Sequence, residues 1–218
     1  MLRIQTFVTN LLQENCYVVS DDSGEAVIVD CGAYFEDDYA ALQAYIVREH
    51  LHPVRHLLTH GHFDHCFGAQ WVEDTYGLKP EVSQADAETY YLQPRQIEQF
   101  LHRTFPLSLP PLGQTFMEGD VFRFGNGHTL NVLSVPGHTP GGVCFYEESE
   151  GVLFSGDSLF RASIGRADLP GSDPQALITT LKTKILTLPP QTRVFPGHGS
   201  ETSIAFERLY NPYLSATP

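Results

Sequence analysis

The sequence predicts an α/β (α+β) protein built as a single domain, in which two sheets are flanked by helices. Both halves of the chain follow the same plan, strands first and helices afterwards, although they share no residue-level repeat. A proline-rich stretch over 105–113 separates the halves, and no low-complexity segment or convincing linker divides the chain. Its 218 residues, 42% hydrophobic and 18% charged, suffice for one large core.

Short strands and three helices make up the N-terminal half. The predicted strands are rich in β-branched and aromatic residues or form apolar runs, and they cover 2–8, 16–20, 25–32, 54–59 and 80–83. Apolar residues at helical spacing predict a surface helix over 37–50. A second helix runs from Cys66 to Tyr76, where Gly77 stops it, and a third covers 85–105.

The C-terminal half begins with strands and ends with helices. Its predicted strands cover 120–125, 128–135, 142–148 and 151–157, and a later short strand runs into a turn over 193–199. Residues 172–188 form a helix that has Asp173 as its cap and Pro174 in its first turn. Residues 201–210 form the last helix.

Composition and charge argue against several functions. The formal net charge is −13, and nothing supplies the basic face that nucleic acid or an acidic membrane surface requires. No window approaches the length of a membrane span, and the N-terminus does not read as a signal peptide. Four cysteines without a CxxC pair favour reduced, structural thiols and a cytoplasmic location, and they are Cys16, Cys31, Cys66 and Cys144.

The stretch THGHFDH, residues 59–65, places three histidines and an aspartate within six positions. It lies just past an apolar strand and before a helix, where α/β proteins usually carry functional residues. His60 and His62 point the same way from an extended segment, whereas Asp64 and His65 lie past a bend and reach a second point. Because zinc and similar ions bind imidazole and carboxylate donors, the stretch predicts metal ligands, and two neighbouring metals are a natural interpretation.

Three later segments carry single donors in loops. They are PGHTPGG with His138, FSGDSLF with Asp157 and FPGHGS with His198. Each donor follows a strand-like run and is framed by glycine, which permits the rigid turn that a ligand at a strand end needs. The other histidines lack this context and are interpreted as surface or capping residues: His50, His52, His56, His102 and His128.

Taken in order, THGHFDH, PGHTPGG, SGD and PGHG resemble the signature of the metallo-β-lactamase superfamily, HxHxDH followed by three single ligands. The resemblance covers nearly the whole chain. It implies an αββα four-layer sandwich of the metallo-β-lactamase type, which agrees with the plan of two similar halves. The ligand sets that it implies are His60, His62 and His138 for the first metal, Asp64, His65 and His198 for the second, and Asp157 as a bridge.

Further stretches resemble the glyoxalase II-like (hydroxyacylglutathione hydrolase-like) branch of the superfamily, particularly its short bacterial members. They are GDSLFRASIGRADLPGSDPQAL and PGHGSETSIAFERLYNPYL, and Asn10 and NCYVV near the start agree with them. Full-length glyoxalase II carries a C-terminal helical domain that helps to hold glutathione, whereas residues 1–218 are expected to form one domain without it. The resemblance therefore implies thioester hydrolysis, while the glutathione contacts of that domain do not carry over.

The resemblance implies a dinuclear metal-dependent hydrolase with two divalent ions per chain. Zinc is the first expectation, and the donors suit iron and manganese as well. Such ions lower the pKa of bound water to about 7, so that a hydroxide attacks the thioester carbonyl and a thiolate leaves. The expected partner is a small thioester substrate. The example is lactoylglutathione, which would be hydrolysed to lactate and glutathione. Asp64 is expected to orient the hydroxide or to take its proton.

Other residues are expected to support the ligands. Asp30, at the end of VIVDCG, either hydrogen-bonds a ligand imidazole or forms a turn. Arg166 and Asp168, in GRADLPG, form an ion pair near the site, or Arg166 meets a substrate carboxylate. Four aromatic residues of the 85–118 region either roof the pocket as a helical lid or belong to the core, and they are Tyr90, Tyr91, Phe100 and Phe105.

The sequence leaves other classes of protein open. A persulfide dioxygenase, whose sequences also resemble this one and carry a GRxD segment, uses one iron held by two histidines and one aspartate. The complete second ligand set, Asp64, His65 and His198, favours hydrolysis instead. A lactonase or another metallohydrolase is a further alternative, while a secreted β-lactamase needs an export signal that is not visible. A binding protein that kept only the fold is expected to have lost ligands, and none is lost here.

Overall fold

Two β-sheets face each other at the centre of the protein. The computed structural model describes residues 1–102, 104 and 107–215. The N-terminal sheet has five strands in chain order, and they are β1 (Arg3–Thr9), β2 (Glu14–Ser20), β3 (Glu25–Val29), β4 (His52–Leu57) and β5 (Pro80–Glu81). The first two pairs of neighbouring strands are antiparallel, and the last two pairs are parallel.

The C-terminal sheet has six strands, and a separate two-stranded ribbon follows its central strand. The strands of this half are β6 (Val121–Phe124), β7 (His128–Ser134), β8 (Val143–Glu147), β9 (Val152–Gly156), β10 (Leu159–Phe160), β11 (Ser163–Ile164), β12 (Arg193–Pro196) and β13 (Thr202–Ser203). The order in the sheet is β13-β12-β9-β8-β7-β6, and β10 pairs with β11 in the ribbon. Only the β9–β12 pair is parallel among the described pairs of this half.

The largest apolar cluster lies between the two sheets. Tyr17 and Val19 of β2 face inward and pack in one cluster with Phe145 and Phe154 of the opposite sheet. The alternate residue Val18 points to the other face of its sheet and packs against helices. Side chains alternate between the two faces of a strand, and all seven residues of β2 are buried because both faces are covered.

The described helices are α1 (Glu36–Arg48), α2 (Ala69–Tyr76), α3 (Ala87–Tyr91), α4 (Gln93–Leu101), α5 (Pro174–Thr183) and α6 (Ile204–Tyr210). Helices α1 and α2 cover the outer face of the N-terminal sheet, and α5 and α6 cover that of the C-terminal sheet. Leu42 of α1 and Val72 of α2 pack in the cluster outside the N-terminal sheet. Leu177 and Leu181 of α5 pack in the cluster outside the C-terminal sheet. The predicted αββα four-layer sandwich is confirmed. In the part of the chain that the structure describes, no helix is long and apolar enough to cross a membrane.

Two predicted helices differ from the observed ones. The helix expected from Cys66 begins only at Ala69, because Cys66 closes a 3₁₀ turn formed by the preceding FDH segment. The helix expected over 85–105 is divided into α3 and α4, which meet at Leu92. Pro94 has no backbone N–H with which to continue the hydrogen-bond ladder of α3, and it lies instead in the first turn of α4.

The predicted start of α5 is confirmed, whereas its end comes earlier than expected. Asp173 accepts hydrogen bonds from the backbone N–H groups of Gln175 and Ala176, both at 3.0 Å, and Pro174 is the first helical residue. The helix predicted over 172–188 ends at Thr183, and a 3₁₀ turn follows it.

Candidate metal centre

The predicted metal ligands come from loops that follow four different strands. His60, His62, Asp64 and His65 lie beyond β4, His138 beyond β7, Asp157 beyond β9 and His198 beyond β12. Because the sheets fix the strand ends, they also fix where these loops start. The structure brings all seven side chains together in overlapping groups of three, and the ligand atoms of each group lie within 4.8 Å of one another.

Three histidines form the first group. The Nδ1 atom of His62 lies 2.9 Å from Nε2 of His138. The ring of His60 lies 4.8 Å from that of His62 and 4.9 Å from that of His138, measured between ring centroids. Three imidazoles at these distances around one point form a set that a divalent cation binds.

Asp64, His65 and His198 form the second group. Nε2 of His198 lies 3.2 Å from Oδ2 of Asp64, and Nε2 of His65 lies 3.9 Å from the same oxygen. Asp157 contacts both groups, because its oxygens lie 3.3 Å from Nε2 of His65 and 3.6 Å from Nε2 of His138. The geometry therefore suits two neighbouring ions that share the Asp157 carboxylate.

Three atoms that face this centre are buried without a hydrogen bond to any residue in the described part of the chain. They are Nε2 of His60, Nε2 of His65 and Oδ1 of Asp157. Burying a polar atom without a partner is costly, and native proteins rarely tolerate it. Metal ions would satisfy all three atoms at once, so the donor set fits divalent metal ions.

Hydrogen bonds on the far side of the rings orient four of the imidazoles. The contacts are His60 Nδ1 to Thr59 Oγ1 at 3.1 Å, His65 Nδ1 to Asp30 Oδ2 at 3.0 Å, His138 Nδ1 to the Arg166 carbonyl at 2.7 Å and His198 Nδ1 to the Leu12 carbonyl at 3.1 Å. With an acceptor at Nδ1, the proton of the neutral ring lies there and the Nε2 lone pair faces the centre.

The charges of three donors match the forms that bind metal. Burial, together with neighbouring histidines, lowers the pKa of His62 to about 4 and that of His60 well below its ordinary value. Burial opposes the charge of Asp157, but His65 beside it outweighs burial and holds the pKa of that carboxyl well below its usual range. At neutral pH, His60 and His62 are therefore neutral and Asp157 is ionised, as metal coordination requires. Burial opposes the charges of His65 and His198, but the carboxylates beside them outweigh burial and raise both pKa values, so metal binding displaces a proton from these rings.

Asp30 lies behind the second group and contacts two parts of the ligand loop. Its oxygens accept hydrogen bonds from the Thr59 N–H at 2.7 Å and the Thr59 hydroxyl at 2.8 Å, besides the contact with His65. The backbone of Asp30 has a φ of 54°, a left-handed conformation that Asp tolerates better than most residues. Asp30 therefore has both features that the sequence left as alternatives, the turn and the hydrogen bond to an imidazole.

A family model described as the metallo-beta-lactamase superfamily matches residues 9–198, which contain all seven donors. The chain belongs to this superfamily. A Haemophilus influenzae protein named hydroxyacylglutathione hydrolase GloC is 33% identical over 216 residues, covering 99% of each chain. This similarity supports the glyoxalase II-like branch of the superfamily.

Two solved structures resemble nearly the whole chain. BLEG-1, described as a B3 metallo-beta-lactamase, is 36% identical with a TM-score of 0.89, and the match covers 98% of this chain and 100% of that one. TTHA1623, described in a di-iron-bound form, is 36% identical with a TM-score of 0.84, and the match covers 96% of this chain and 100% of that one. Together with the donor groups, these relatives support a metal-dependent hydrolase.

Asp86, which was not among the residues predicted from the sequence, links two of the loops that carry the candidate ligands. Its Oδ2 accepts a hydrogen bond from the N–H of Gly61 at 2.7 Å, and its Oδ1 accepts one from the N–H of Gly141 at 2.9 Å. Gly61 lies between His60 and His62, and a Cβ at Gly61 would meet the backbone of the segment after Asp86. No sequence motif marks this role, because the groups that Asp86 holds in the two ligand loops are backbone N–H groups.

Residues of β2 hold the loop that carries His198. The Nδ2 atom of Asn15 donates hydrogen bonds to the carbonyls of Pro196 and Gly199, both at 2.9 Å. The Tyr17 hydroxyl donates to the Pro196 carbonyl at 2.6 Å. The segment NCYVV, which sequence analysis used only for the family resemblance, therefore positions a ligand loop of the opposite sheet.

Five of the seven candidate metal donors line a cavity of about 330 Å³. Arg166 lines this cavity and forms an ion pair with Asp168, with Nε and Oδ1 3.0 Å apart. Its guanidinium carbon also lies 5.6 Å from the ring centre of Phe100, another residue of the cavity wall. Leu12, Phe63 and Phe160 supply further apolar wall.

The aromatic residues expected to roof the pocket have different environments. Phe100 lines the cavity, as expected of a roof. Tyr90 has the core position that the sequence left as the alternative, since it is fully buried in a core cluster and donates a hydrogen bond to the Pro110 carbonyl at 2.8 Å. Tyr91 is exposed and accepts a hydrogen bond from the N–H of Leu112 instead. Phe105 lies outside the described residues.

Proposed function

We propose that the chain hydrolyses thioesters and that S-2-hydroxyacylglutathiones such as lactoylglutathione are the first substrates to test. The observation that supports this most strongly is the set of seven donors in overlapping groups, which include buried atoms without a partner among the described residues. Five of these donors line a cavity. Among the described residues that line this cavity, none is a serine or cysteine. Cys66 is buried, and burial raises the pKa of its thiol well above the usual value. These features favour water as the nucleophile.

The donors divide into two ion sites. In this proposal the first ion is held by His60, His62 and His138, the second by Asp64, His65 and His198, and Asp157 is shared. Zinc is the first expectation, and the similarity to a di-iron-bound structure makes iron the second. Divalent ions held in such sites lower the pKa of water and polarise a carbonyl oxygen.

Asp64 is the residue that we assign to the water. It lines the cavity, and its Oδ2 is 3.2 Å from His198. Burial opposes its charge, but His65 and His198 outweigh burial and lower the pKa of Asp64, so the carboxylate is ionised at neutral pH. An ionised carboxylate in this position orients a water molecule and accepts its proton. The departing thiol has a pKa of about 8.5, so it leaves without a strong acid.

The test combines metal analysis with a substrate panel. We expect about two divalent ions per chain by elemental analysis and hydrolysis of lactoylglutathione that disappears when a chelator removes the ions. Asp157→Ala should abolish activity and reduce metal content together, because this carboxylate contacts both donor groups. Asp120→Ala, at an exposed position outside the cavity, is the matched control. Full activity in Asp157→Ala would refute the site.

The same panel separates the alternatives. BLEG-1, 36% identical to this chain, is described as a B3 metallo-beta-lactamase, so a chromogenic β-lactam belongs in the panel as the second candidate substrate. A lactone tests the other hydrolase alternative. A persulfide with oxygen tests the dioxygenase, for which a single iron per chain and oxygen-dependent sulfite production are expected. Turnover of any of these without thioester hydrolysis would overturn the proposal.

A further inference from the structure

A second cavity, of about 460 Å³, adjoins the cavity of the metal centre. His62, Phe100 and Leu169 line both cavities, so the two cavities are direct neighbours. The remaining walls of the larger cavity come mainly from α3, α4 and residues 169–171. We call this larger cavity the α3–α4 groove.

Helix α4, which forms one wall of the groove, is fixed to the metal loop. Ile97 packs in one cluster with Phe63 and Phe67, which flank Asp64 and His65 in the chain. The Oε1 atom of Gln96 accepts a hydrogen bond from the N–H of Phe63 at 3.1 Å. The groove therefore has a set position relative to the metal donors, as a substrate site requires.

Three polar side chains of the groove have no partner among the residues that the structure describes. Arg95 and Gln99 lie four residues apart on α4, so they occupy the same face of the helix, and Glu88 comes from α3. Within residues 1–102, 104 and 107–215, none of these three side chains forms a hydrogen bond or an ion pair. Arg166, by contrast, is already paired with Asp168. Arg95 is thus an exposed, unpaired cation in a groove that also contacts the candidate ligand His62, in a chain with a net charge of −13.

We propose that the α3–α4 groove binds the thiol portion of a thioester whose thiol carries a carboxylate, and that Arg95 and Gln99 bind that carboxylate. This inference rests on the proposed thioesterase function. The reacting carbonyl must lie against the metal donors, so a small acyl group fits the cavity of about 330 Å³ and the longer thiol portion extends into the groove. A guanidinium donates two parallel hydrogen bonds to a carboxylate. Glu88 provides an acceptor for an ammonium group on the same thiol.

Two thioester substrates, one with and one without a carboxylate on the thiol, test whether Arg95 binds that carboxylate. Arg95→Gln should lower kcat/KM for S-lactoylglutathione about tenfold through KM, which corresponds to about 1.4 kcal/mol and suits one charge-assisted hydrogen bond in a partly open groove. The lactoyl thioester of N-acetylcysteamine has no carboxylate on its thiol, so its kcat/KM should be unchanged. Arg95→Lys keeps the charge but not the planar guanidinium, so its kcat/KM for S-lactoylglutathione should lie between those of the wild type and Arg95→Gln. Arg123→Gln, at an exposed position of β6 that lines neither cavity, is the matched control.

Binding measurements separate this inference from the proposed function. S-methylglutathione has a capped sulfur, and calorimetry should show that it binds about tenfold more weakly to Arg95→Gln than to the wild type. Its diethyl ester should bind both proteins equally. Equal binding of S-methylglutathione, or equal kinetic loss for both thioesters, would overturn the groove assignment while thioester hydrolysis stands. If the wild type hydrolyses neither thioester, the proposed function is refuted. The binding of S-methylglutathione then shows by itself whether Arg95 of the groove binds the carboxylate.

Discussion

The Asp86→Asn substitution should loosen the ligand loops while preserving the shape of a buried side chain. Asp86 is 0% exposed, and its two oxygens accept hydrogen bonds from the N–H groups of Gly61 at 2.7 Å and Gly141 at 2.9 Å and from the Thr89 hydroxyl at 3.1 Å. Asparagine has only one acceptor oxygen. Whichever way the amide is oriented, one of the two glycine N–H groups therefore faces an NH₂ group that cannot accept its hydrogen.

The size of the effect follows from these contacts. A hydrogen bond to a charged group contributes about 1.5–3 kcal/mol, and an unsatisfied buried donor costs a similar amount. Part of this loss is offset, because burial raises the pKa of Asp86 and the neutral amide avoids the cost of burying a charge. We expect a loss of about 2 kcal/mol in the free energy of unfolding. Because Gly61 joins His60 to His62, metal affinity should also fall about tenfold.

Two measurements check this prediction. Urea unfolding of chelator-treated protein gives the stability without metal, and competition with a chromophoric chelator under folding conditions gives the metal affinity. Asp120→Asn is the matched control, since Asp120 also accepts a backbone N–H, that of Met117 at 2.8 Å, but at an exposed position. Wild-type stability and metal affinity in Asp86→Asn would refute the role of this carboxylate in holding the loops.

Two further substitutions test other contacts. Asp30→Asn removes the carboxylate behind His65 and should lower metal affinity about 10–100-fold in a folded protein, measured by chelator competition; unchanged affinity would contradict this. Burial opposes the charge of Glu147, but hydrogen bonds from Ser149 and His128 outweigh it and lower its pKa. This stabilisation is present above the unfolded-state pKa of about 4.3 and is lost as pH falls through the lower folded-state value. Glu147→Gln should therefore cost about 1 kcal/mol at neutral pH and much less near pH 3 by urea unfolding, and an equal cost at both would refute the assignment.

The positions of the candidate ligands follow from local sequence, because each donor and the turn that presents it are neighbours in the chain. His138, Asp157 and His198 each stand next to or within two residues of a glycine and beyond a strand-like run. The fold class is readable for the same reason, since the succession of strands and helices is a local pattern. The break between α3 and α4 was missed, although Pro94 marks it, and the start of α2 and the end of α5 were also misplaced.

The residues that hold the ligand loops could not be predicted in this way. Asn15 bonds to carbonyls more than 180 positions away, and Asp86 bonds to a backbone N–H of Gly141, 55 positions away. Any backbone group can be such a partner, so the sequence carries no sign of the pairing. Glu14 is similar: it is completely buried, and its Oε2 accepts the N–H of Gly32 at 3.0 Å. These contacts can be identified only when the packing of the two sheets is known.

Each group of donors comes from loops of both sheets, so metal binding is coupled to the packing of the two sheets. In the first group, His60 and His62 follow a strand of the N-terminal sheet, whereas His138 follows a strand of the C-terminal sheet. The second group is divided in the same way, with Asp64 and His65 on one side and His198 on the other, so each ion would link both sheets. Neither site can exist until the sheets have packed, and metal binding therefore stabilises the closed sandwich in proportion to its affinity. Asn15, which reaches from one sheet to the His198 loop of the other, stabilises the same arrangement through the protein itself.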